Sequence, residues 1–104
     1  MIAQVRAACV ERDGDCRLAG MGFGACRGES EWAHLPQWRR SATRGQPATA
    51  RHTTIGTVML CASHHAMLDG KQYPRLYVEH GIEGANGPMK WIRMDTIVRE
   101  RRSA

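Results

Sequence analysis

Apolar and polar positions divide the chain into short segments of different period. The first segment, residues 2–12, carries three apolar side chains at helical spacing: Ile2, Val5 and Cys9. Arginines occupy positions between them, so the pattern predicts a short amphipathic helix. Asp13 and Gly14 follow as a turn that ends it.

The middle of the chain predicts two strands followed by a helix. Residues 30–35 alternate in polarity and form a strand that stops at Pro36, because proline cannot donate to a sheet ladder. Residues 54–60 are apolar and rich in β-branched side chains, which favours a second strand. Residues 62–69 suit a helix that ends before a glycine. The polar, arginine-rich stretch 36–54 is interpreted as a long exposed loop.

The remaining segments have weaker patterns. Residues 15–28 are glycine-rich with a cysteine near either end, which indicates a loop that folds back on itself. Residues 73–82 suit either an extended segment or a short helix. Pro88 opens a predicted helix to about residue 102, whose apolar face is a core or dimer contact formed by Trp91, Met94, Ile97 and Val98. No internal repeat or second domain is evident, so residues 1–104 are interpreted as one domain, monomeric or homodimeric.

The charge of the chain favours a polyanionic partner. The net charge is +5, the pI is near 9.5, and 13 of the 15 basic residues are arginine. No acidic residue lies between Glu31 and Asp69. Four arginines fall in that interval and are candidates for binding nucleic acid backbone: Arg39, Arg40, Arg44 and Arg51. The alternative is a solvated basic loop without a partner.

The cysteines point to a metal rather than to disulfides. The start of the chain lacks the apolar core of a signal peptide, and no run is long enough for a membrane span, so we expect a soluble cytoplasmic protein. In a reducing compartment, Cys9, Cys16, Cys26 and Cys61 are candidate zinc ligands. Cys61-x-x-His64 has the spacing of a zinc knuckle. With Cys16 and Cys26 it predicts a structural Cys3His site, in which Cys9 could replace one ligand.

The second histidine of the pair predicts a different site. If His64 faces zinc, His65 is turned by about 100° around the same helix and faces elsewhere. Asp69 lies four residues on, on the same helical face, so the imidazole and the carboxylate can converge on one ion. A surface hydrogen bond between the two side chains is the simpler alternative.

These motifs together resemble a known family. The resemblance rests on a cysteine knuckle, a strand ending in Ala33-His34-Leu35, a basic loop, a strand ending in Leu60-Cys61, and His64-His65 at the start of a helix. The chain is similar to the HNH endonucleases over about residues 9–70, and within them to small phage and prophage nucleases. The resemblance implies an α+β domain with a small ββα-metal (His-Me finger) fold, cross-linked by zinc and flanked by N- and C-terminal helices.

The resemblance also implies roles for particular residues. His34 would be the general base, and His65 would hold a catalytic divalent ion, most simply Mg²⁺ or Mn²⁺. Two positions depart from the family pattern, since Ala33 stands where a second metal ligand is common and Gly56 stands where the middle asparagine is expected. Asp69 is the favoured replacement ligand, with Glu31 as the second candidate because it shares a strand face with Ala33.

The sequence therefore supports two functional hypotheses. The first is a metal-dependent endonuclease that hydrolyses DNA, or else RNA or branched DNA, with low sequence specificity, in the host cytoplasm if the chain is phage-encoded. The second is a zinc-stabilised nucleic-acid-binding module that has lost its catalytic site, which the residues Ala33 and Gly56 favour. The pattern leaves the substrate form, the catalytic ion and the pathway open.

Overall fold

The computed structural model describes residues 2–36 and 53–94, and it has the predicted α+β composition. Within these residues, helix α1 is followed by an antiparallel pair of strands, a second helix and a second antiparallel pair. The elements are α1 (Ile2–Asp13), β1 (Ser30–His34), β2 (Thr57–Cys61), α2 (Ala62–Leu68), β3 (Leu76–His80) and β4 (Met89–Arg93), with a 3-10 turn at Gly84–Asn86. None of the described helices combines the length and the hydrophobicity that crossing a membrane requires.

The first sheet confirms the two predicted strands and fixes their register. Ser30 pairs with Cys61 at one end and His34 with Thr57 at the other. All five residues of β2 are buried, which explains its apolar, β-branched composition. The strand begins later than predicted because residues 53–56 form a turn, in which the hydroxyl of Thr57 donates to the carbonyl of Thr53 at 2.5 Å.

Helix α2 follows β2 without a connecting loop. Cys61 ends the strand and also caps the helix, since its Sγ accepts a hydrogen bond from the main-chain N–H of His64 at 3.4 Å. At the other end, the main-chain N–H of Asp69 donates to the carbonyl of His65, and Gly70 follows with a φ of +79°. The order strand, strand, helix is therefore observed, and α2 contacts both strands of the first sheet.

The predicted helix from Pro88 is wrong over residues 89–93, although Met94, the last described residue, is helical. Residues 89–93 form strand β4, which pairs with β3 so that Trp91 lies opposite Val78, and both side chains are buried. The extended alternative for residues 73–82 is the correct one. The helical spacing gave the wrong prediction because Trp91 is buried by pairing with the preceding strand, β3. The rest of the predicted helix lies outside the described residues.

The core lies between the two sheets and α2. Its fully buried side chains come from the glycine-rich loop, the first sheet, α2 and β3: Leu18, Leu35, Val58, Leu60, Leu68, Leu76 and Val78. Helix α1 contributes little to it, since Cys9 is its one buried described residue and Ile2 and Val10 are exposed. The amphipathic face predicted for α1 is therefore only partly used.

A buried carboxylate joins α1 to the rest of the molecule. The side chain of Asp13 is only 1% exposed and accepts hydrogen bonds from Arg12 at 2.7 Å and from the main-chain N–H of Met59 at 3.0 Å. Arg17 pairs with the same carboxylate at 3.2 Å and donates to the carbonyl of Ala85. The hydrogen bond with Asp13 raises the pKa of Arg12, whereas burial lowers the pKa of Arg17. This Arg12–Asp13–Arg17 cluster ties α1 to β2 and to the turn between β3 and β4.

Candidate metal centre

The four predicted zinc ligands converge at one point. The Sγ atoms of Cys16, Cys26 and Cys61 and a ring nitrogen of His64 all lie within 4.8 Å of one another. The Nδ1 atom of His64 is 3.4 Å from the first of these sulfurs, 3.9 Å from the second and 3.2 Å from the third. The grouping predicted from the sequence is confirmed, and it could hold a structural metal such as zinc.

The spacing of these atoms suits a tetrahedral zinc ion. Zinc–sulfur and zinc–nitrogen bonds of about 2.3 and 2.0 Å place neighbouring ligand atoms about 3.6 Å apart in a tetrahedron. The three nitrogen–sulfur distances, 3.2, 3.4 and 3.9 Å, lie on either side of that value. The described cysteines are all free thiols, so no disulfide competes for these sulfurs.

The orientation of His64 also fits a ligand. Its side chain is fully buried, and its Nε2 atom lies 3.1 Å from the main-chain carbonyl of Phe23. A carbonyl only accepts hydrogen bonds, so Nε2 carries the proton and donates to Phe23. Nδ1 then presents its lone pair to the three sulfurs, which is the tautomer that a metal requires.

Main-chain hydrogen bonds hold the cysteine loop against the sheet and α2. The N–H of Arg17 donates to the carbonyl of Met59 at 2.8 Å, and the N–H of Ser63 donates to the carbonyl of Arg27 at 3.0 Å. Gly28 adopts a φ of +81°, and a Cβ there would lie 2.6 Å from the Cβ of Ala62. The loop therefore approaches α2 so closely that only glycine fits at this position.

The thiols cannot all ionise together without a cation. Burial opposes ionisation of Cys61, but hydrogen bonds from the main-chain N–H groups of His64 and Arg27 stabilise its thiolate, so its pKa lies below the usual value. Desolvation, followed by the hydrogen bonds and charges of Cys16 and Cys61, raises the pKa of Cys26 to about 12. A bound divalent cation would remove this repulsion between neighbouring thiolates.

Cys9 is not part of the cluster. It is fully buried, and its Sγ lies 3.3 Å from the hydroxyl of Thr57. The possibility that Cys9 replaces one zinc ligand is therefore not realised. The contact of His64 Nε2 with Phe23 could not be predicted from the sequence, because the partner is a main-chain carbonyl in a loop.

His65 occupies a second polar site on α2. Its Nδ1 lies 2.7 Å from Oε1 of Glu31, and its Nε2 lies 3.3 Å from Oδ2 of Asp69. The structure therefore brings His65 together with both predicted carboxylates, one from β1 and one from the end of α2. Among residues 2–36 and 53–94, however, only the Cys3His set places one ligand atom from every member within 4.8 Å of all the others.

The other predicted catalytic residue lies on a different face of β1. Strand alternation places Glu31 and Ala33 on the side that faces α2, and His34 on the opposite side. His34 is half-buried, and its ring centroid lies 5.9 Å from that of Trp32. Ala33 is fully buried in the core. The four predicted nucleic-acid-binding arginines lie outside the described residues: Arg39, Arg40, Arg44 and Arg51.

Comparison of the chain with protein-family models, curated proteins and solved structures finds no significant match. The functional interpretation therefore rests on the residues and geometry of this protein.

Proposed function

We propose that this protein is a metal-dependent endonuclease of the HNH type that hydrolyses phosphodiester bonds of DNA. The observation that carries the proposal is the position of His65 between two carboxylates, on the helix that the Cys3His cluster anchors. The residues proposed to act are His34 as general base and His65, with Asp69 or Glu31, as holders of a catalytic divalent ion.

The hydrogen-bonding capacity of imidazole supports a cation at this site. A neutral imidazole has one N–H and can therefore donate to only one carboxylate. Both ring nitrogens of His65 face carboxylate oxygens, so one nitrogen and one oxygen present lone pairs to each other. Either a second proton or a metal ion relieves that contact. All three side chains are partly exposed, at 25% for His65, 46% for Glu31 and 16% for Asp69, so an ion and a substrate can reach them.

Glu31 compensates for the departure at Ala33. Both residues project from the α2-facing side of β1, and Ala33 itself is buried and carries no ligand. The carboxylate two residues earlier reaches His65 instead. This contact favours Glu31 as strongly as Asp69 for the missing ligand.

The proposed reaction assigns separate tasks to the two histidines. His34 accepts a proton from the water that attacks phosphorus. His65 and a carboxylate would hold a divalent ion, which would supply Lewis-acid stabilisation of the charge that develops on the leaving 3′ oxygen. The basic character of the chain supplies affinity for the phosphate backbone without reading bases.

A non-catalytic DNA-binding module is the second candidate. It is favoured by the burial of Ala33 and by the projection of His34 from the strand face opposite Glu31. In that case the contacts of His65 with its carboxylates stabilise the fold only.

Nicking of supercoiled plasmid by the zinc-loaded protein tests the proposal. Buffers contain Mg²⁺, Mn²⁺ or no added divalent ion, and the variants are His34→Ala and His65→Ala. His80→Ala is the matched control, since His80 lies at the end of β3 in the other sheet. We expect cleavage that needs added metal, that falls by at least about a hundredfold in both test variants, and that persists in the control.

Zinc content and DNA binding are measured on the same samples. If all four proteins bind zinc and DNA but none cleaves single-stranded, duplex or branched DNA, the endonuclease proposal is wrong and the binding module replaces it. Equal cleavage by wild type and His34→Ala would refute His34 as the base.

A further inference from the structure

A polar cavity lies beside the Cys3His cluster, on the side of α2 away from His65. It has a volume of about 200 Å³ and is formed by the end of the cysteine loop, α2 and the segment that precedes β3. Ser63 contributes to it from α2. Ser63 and His65 are two positions apart and so point about 200° apart around the helix. The cavity therefore does not share a face with His65.

The walls of the cavity combine aromatic rings with cations. Tyr73, which is 79% exposed, and the partly buried Phe23 both line it. Arg27 and Arg93 also line it, and none of its described lining residues is acidic. An exposed aromatic face beside two guanidinium groups suits a ligand that carries both a π-system and negative charge.

The cavity also offers groups for hydrogen bonding. The side-chain amide of Gln72 donates to the hydroxyl of Ser63 at 2.8 Å. That bond uses one of the two amide N–H groups and leaves the amide oxygen as an acceptor. The donor and acceptor pair is the kind that the edge of an unpaired base can satisfy.

The position of the cavity is fixed by the metal centre. Ser63 donates its main-chain N–H to the carbonyl of Arg27, and Phe23 accepts from the zinc-ligand candidate His64. The wall formed by Phe23, Arg27 and Ser63 is thus held by the elements that carry the Cys3His cluster. A preformed site of this kind loses little conformational entropy when it binds a ligand.

The size of the cavity limits the ligand. Pockets for drug-sized molecules occupy roughly 300–1,000 Å³, whereas this cavity holds about 200 Å³. One base fits, and a whole nucleotide cofactor does not. We propose that the cavity binds a single unpaired base of a DNA strand, stacked on Tyr73, with Arg27 and Arg93 contacting the adjacent phosphates.

The inference rests on the proposed function for its choice of DNA as the ligand, and it adds the form of the substrate. A base within a duplex is stacked on both faces and paired along one edge, so it cannot stack on Tyr73. The protein therefore prefers DNA with unpaired bases, such as single strands, gaps or branches, over blunt duplex. Because the cavity does not share a face with His65, it acts in binding rather than in chemistry.

Fluorescence anisotropy tests the proposal on the zinc-loaded full chain without Mg²⁺ or Mn²⁺, so that cleavage is not needed. The probes are a short fluorescein-labelled single strand and a fluorescein-labelled blunt duplex of two annealed strands with the same total charge. We expect Tyr73→Ala to weaken binding of the single strand roughly tenfold, the loss typical of one base–aromatic stack. Binding of the duplex should not change.

Two further variants separate stacking from a general loss of structure. Tyr73→Phe keeps the ring and should bind the single strand as the wild type does. Tyr77→Ala removes an exposed tyrosine of β3 that does not line the cavity, and it should also bind normally.

Several outcomes would overturn the inference. These are no binding of the single strand by the wild type, equal losses in Tyr73→Ala and Tyr77→Ala, or a loss in Tyr73→Phe as large as in Tyr73→Ala. If the wild type cleaves DNA while Tyr73→Ala binds normally, the endonuclease proposal stands and only the base site fails. If no variant cleaves DNA but single-strand binding depends on Tyr73, the endonuclease proposal fails and the base site stands.

Discussion

At the scale of single residues, Cys26 is the exposed member of an otherwise buried ligand set. Its thiol faces two other sulfurs and a ring nitrogen, so its role depends on a cation between them. Cys9, by contrast, is fully buried, and its Sγ lies 3.3 Å from the hydroxyl of Thr57. Cys26 is therefore a candidate ligand, whereas Cys9 is a packing residue, and the two can be compared by the same substitution.

Replacing each of these cysteines by serine should affect zinc binding differently. We expect Cys26→Ser to weaken zinc binding by more than the roughly 10–100-fold that loss of an outer hydrogen bond costs at metal sites. Cys9→Ser should keep one zinc per chain. Zinc is measured by atomic emission after gel filtration against a competing chelator. Retention of full zinc affinity in Cys26→Ser would contradict the Cys3His assignment.

Two glycines of the cysteine loop separate backbone strain from steric contact. Gly28 and Gly20 both have positive φ, at +81° and +73°, but only Gly28 has a neighbour within 4 Å of an added Cβ. Alanine should destabilise the protein by about 1–2 kcal/mol at Gly20 through strain alone. At Gly28 we expect a larger loss, because the added methyl group overlaps Ala62 and pushes the loop away from α2.

Thermal unfolding and zinc affinity of the two variants check this expectation. Gly28→Ala should lower both, whereas Gly20→Ala should lower only the melting temperature. Equal effects would mean that the loop can shift at Gly28 without disturbing the ligands.

At the scale of elements, the second hairpin is attached through polar as well as apolar contacts. β3 packs on α2, and the turn that precedes β4 accepts a hydrogen bond from Arg17. Arg17 in turn is paired with Asp13, whose carboxylate also binds the main chain of β2 at Met59. One buried carboxylate thus connects three elements that the sequence separates.

Removal of that carboxylate should be costly. Asp13→Ala removes the carboxylate that two guanidinium groups and one main-chain N–H share, and loss of one partner of a buried ion pair costs about 3–5 kcal/mol. Asp15→Ala is the matched control, since Asp15 is exposed two residues away. The measurements are the free energy of unfolding in urea and hydrogen exchange across residues 84–93. A loss in Asp13→Ala no larger than in the control would show that the Arg12–Asp13–Arg17 cluster contributes little.

At the level of the whole molecule, the net charge of +5 and the proposed DNA binding predict that affinity for DNA falls as salt rises. Counterions released from phosphates make the logarithm of the binding constant fall linearly with the logarithm of salt concentration. Each lost phosphate contact reduces the slope by about 0.7–0.9. We therefore expect Arg39→Ala and Arg44→Ala each to flatten the slope by that amount.

Arg6→Ala is the control, because Arg6 lies on α1. Salt titrations by anisotropy on one duplex provide the slopes. A flat salt response of the wild type would contradict phosphate binding altogether, and equal slopes for all three variants would place the phosphate contacts elsewhere on the surface.

Local patterns and ligand chemistry were enough to predict three elements and the candidate metal ligands. Residues 2–12, 30–35 and 62–69 have clear periods or clear end signals, and each forms the predicted element within a residue or two. The Cys3His set was also predicted, because few side chains bind zinc and the Cys61-x-x-His64 spacing is typical of a zinc knuckle. The nuclease function and the four loop arginines stay predictions.

Features that depend on contacts between separate segments could not be predicted in this way. Trp91 belongs to an apolar stripe with helical spacing, yet residues 89–93 form a strand, because Trp91 is buried by pairing with β3. Cys9 and Cys26 are the same residue type, and three-dimensional position alone separates the packing thiol from the ligand. Glu31 meets His65 because α2 packs on β1, a contact between positions 34 residues apart. Local sequence encodes local period and ligand chemistry, whereas burial and pairing are set by which segments meet in space.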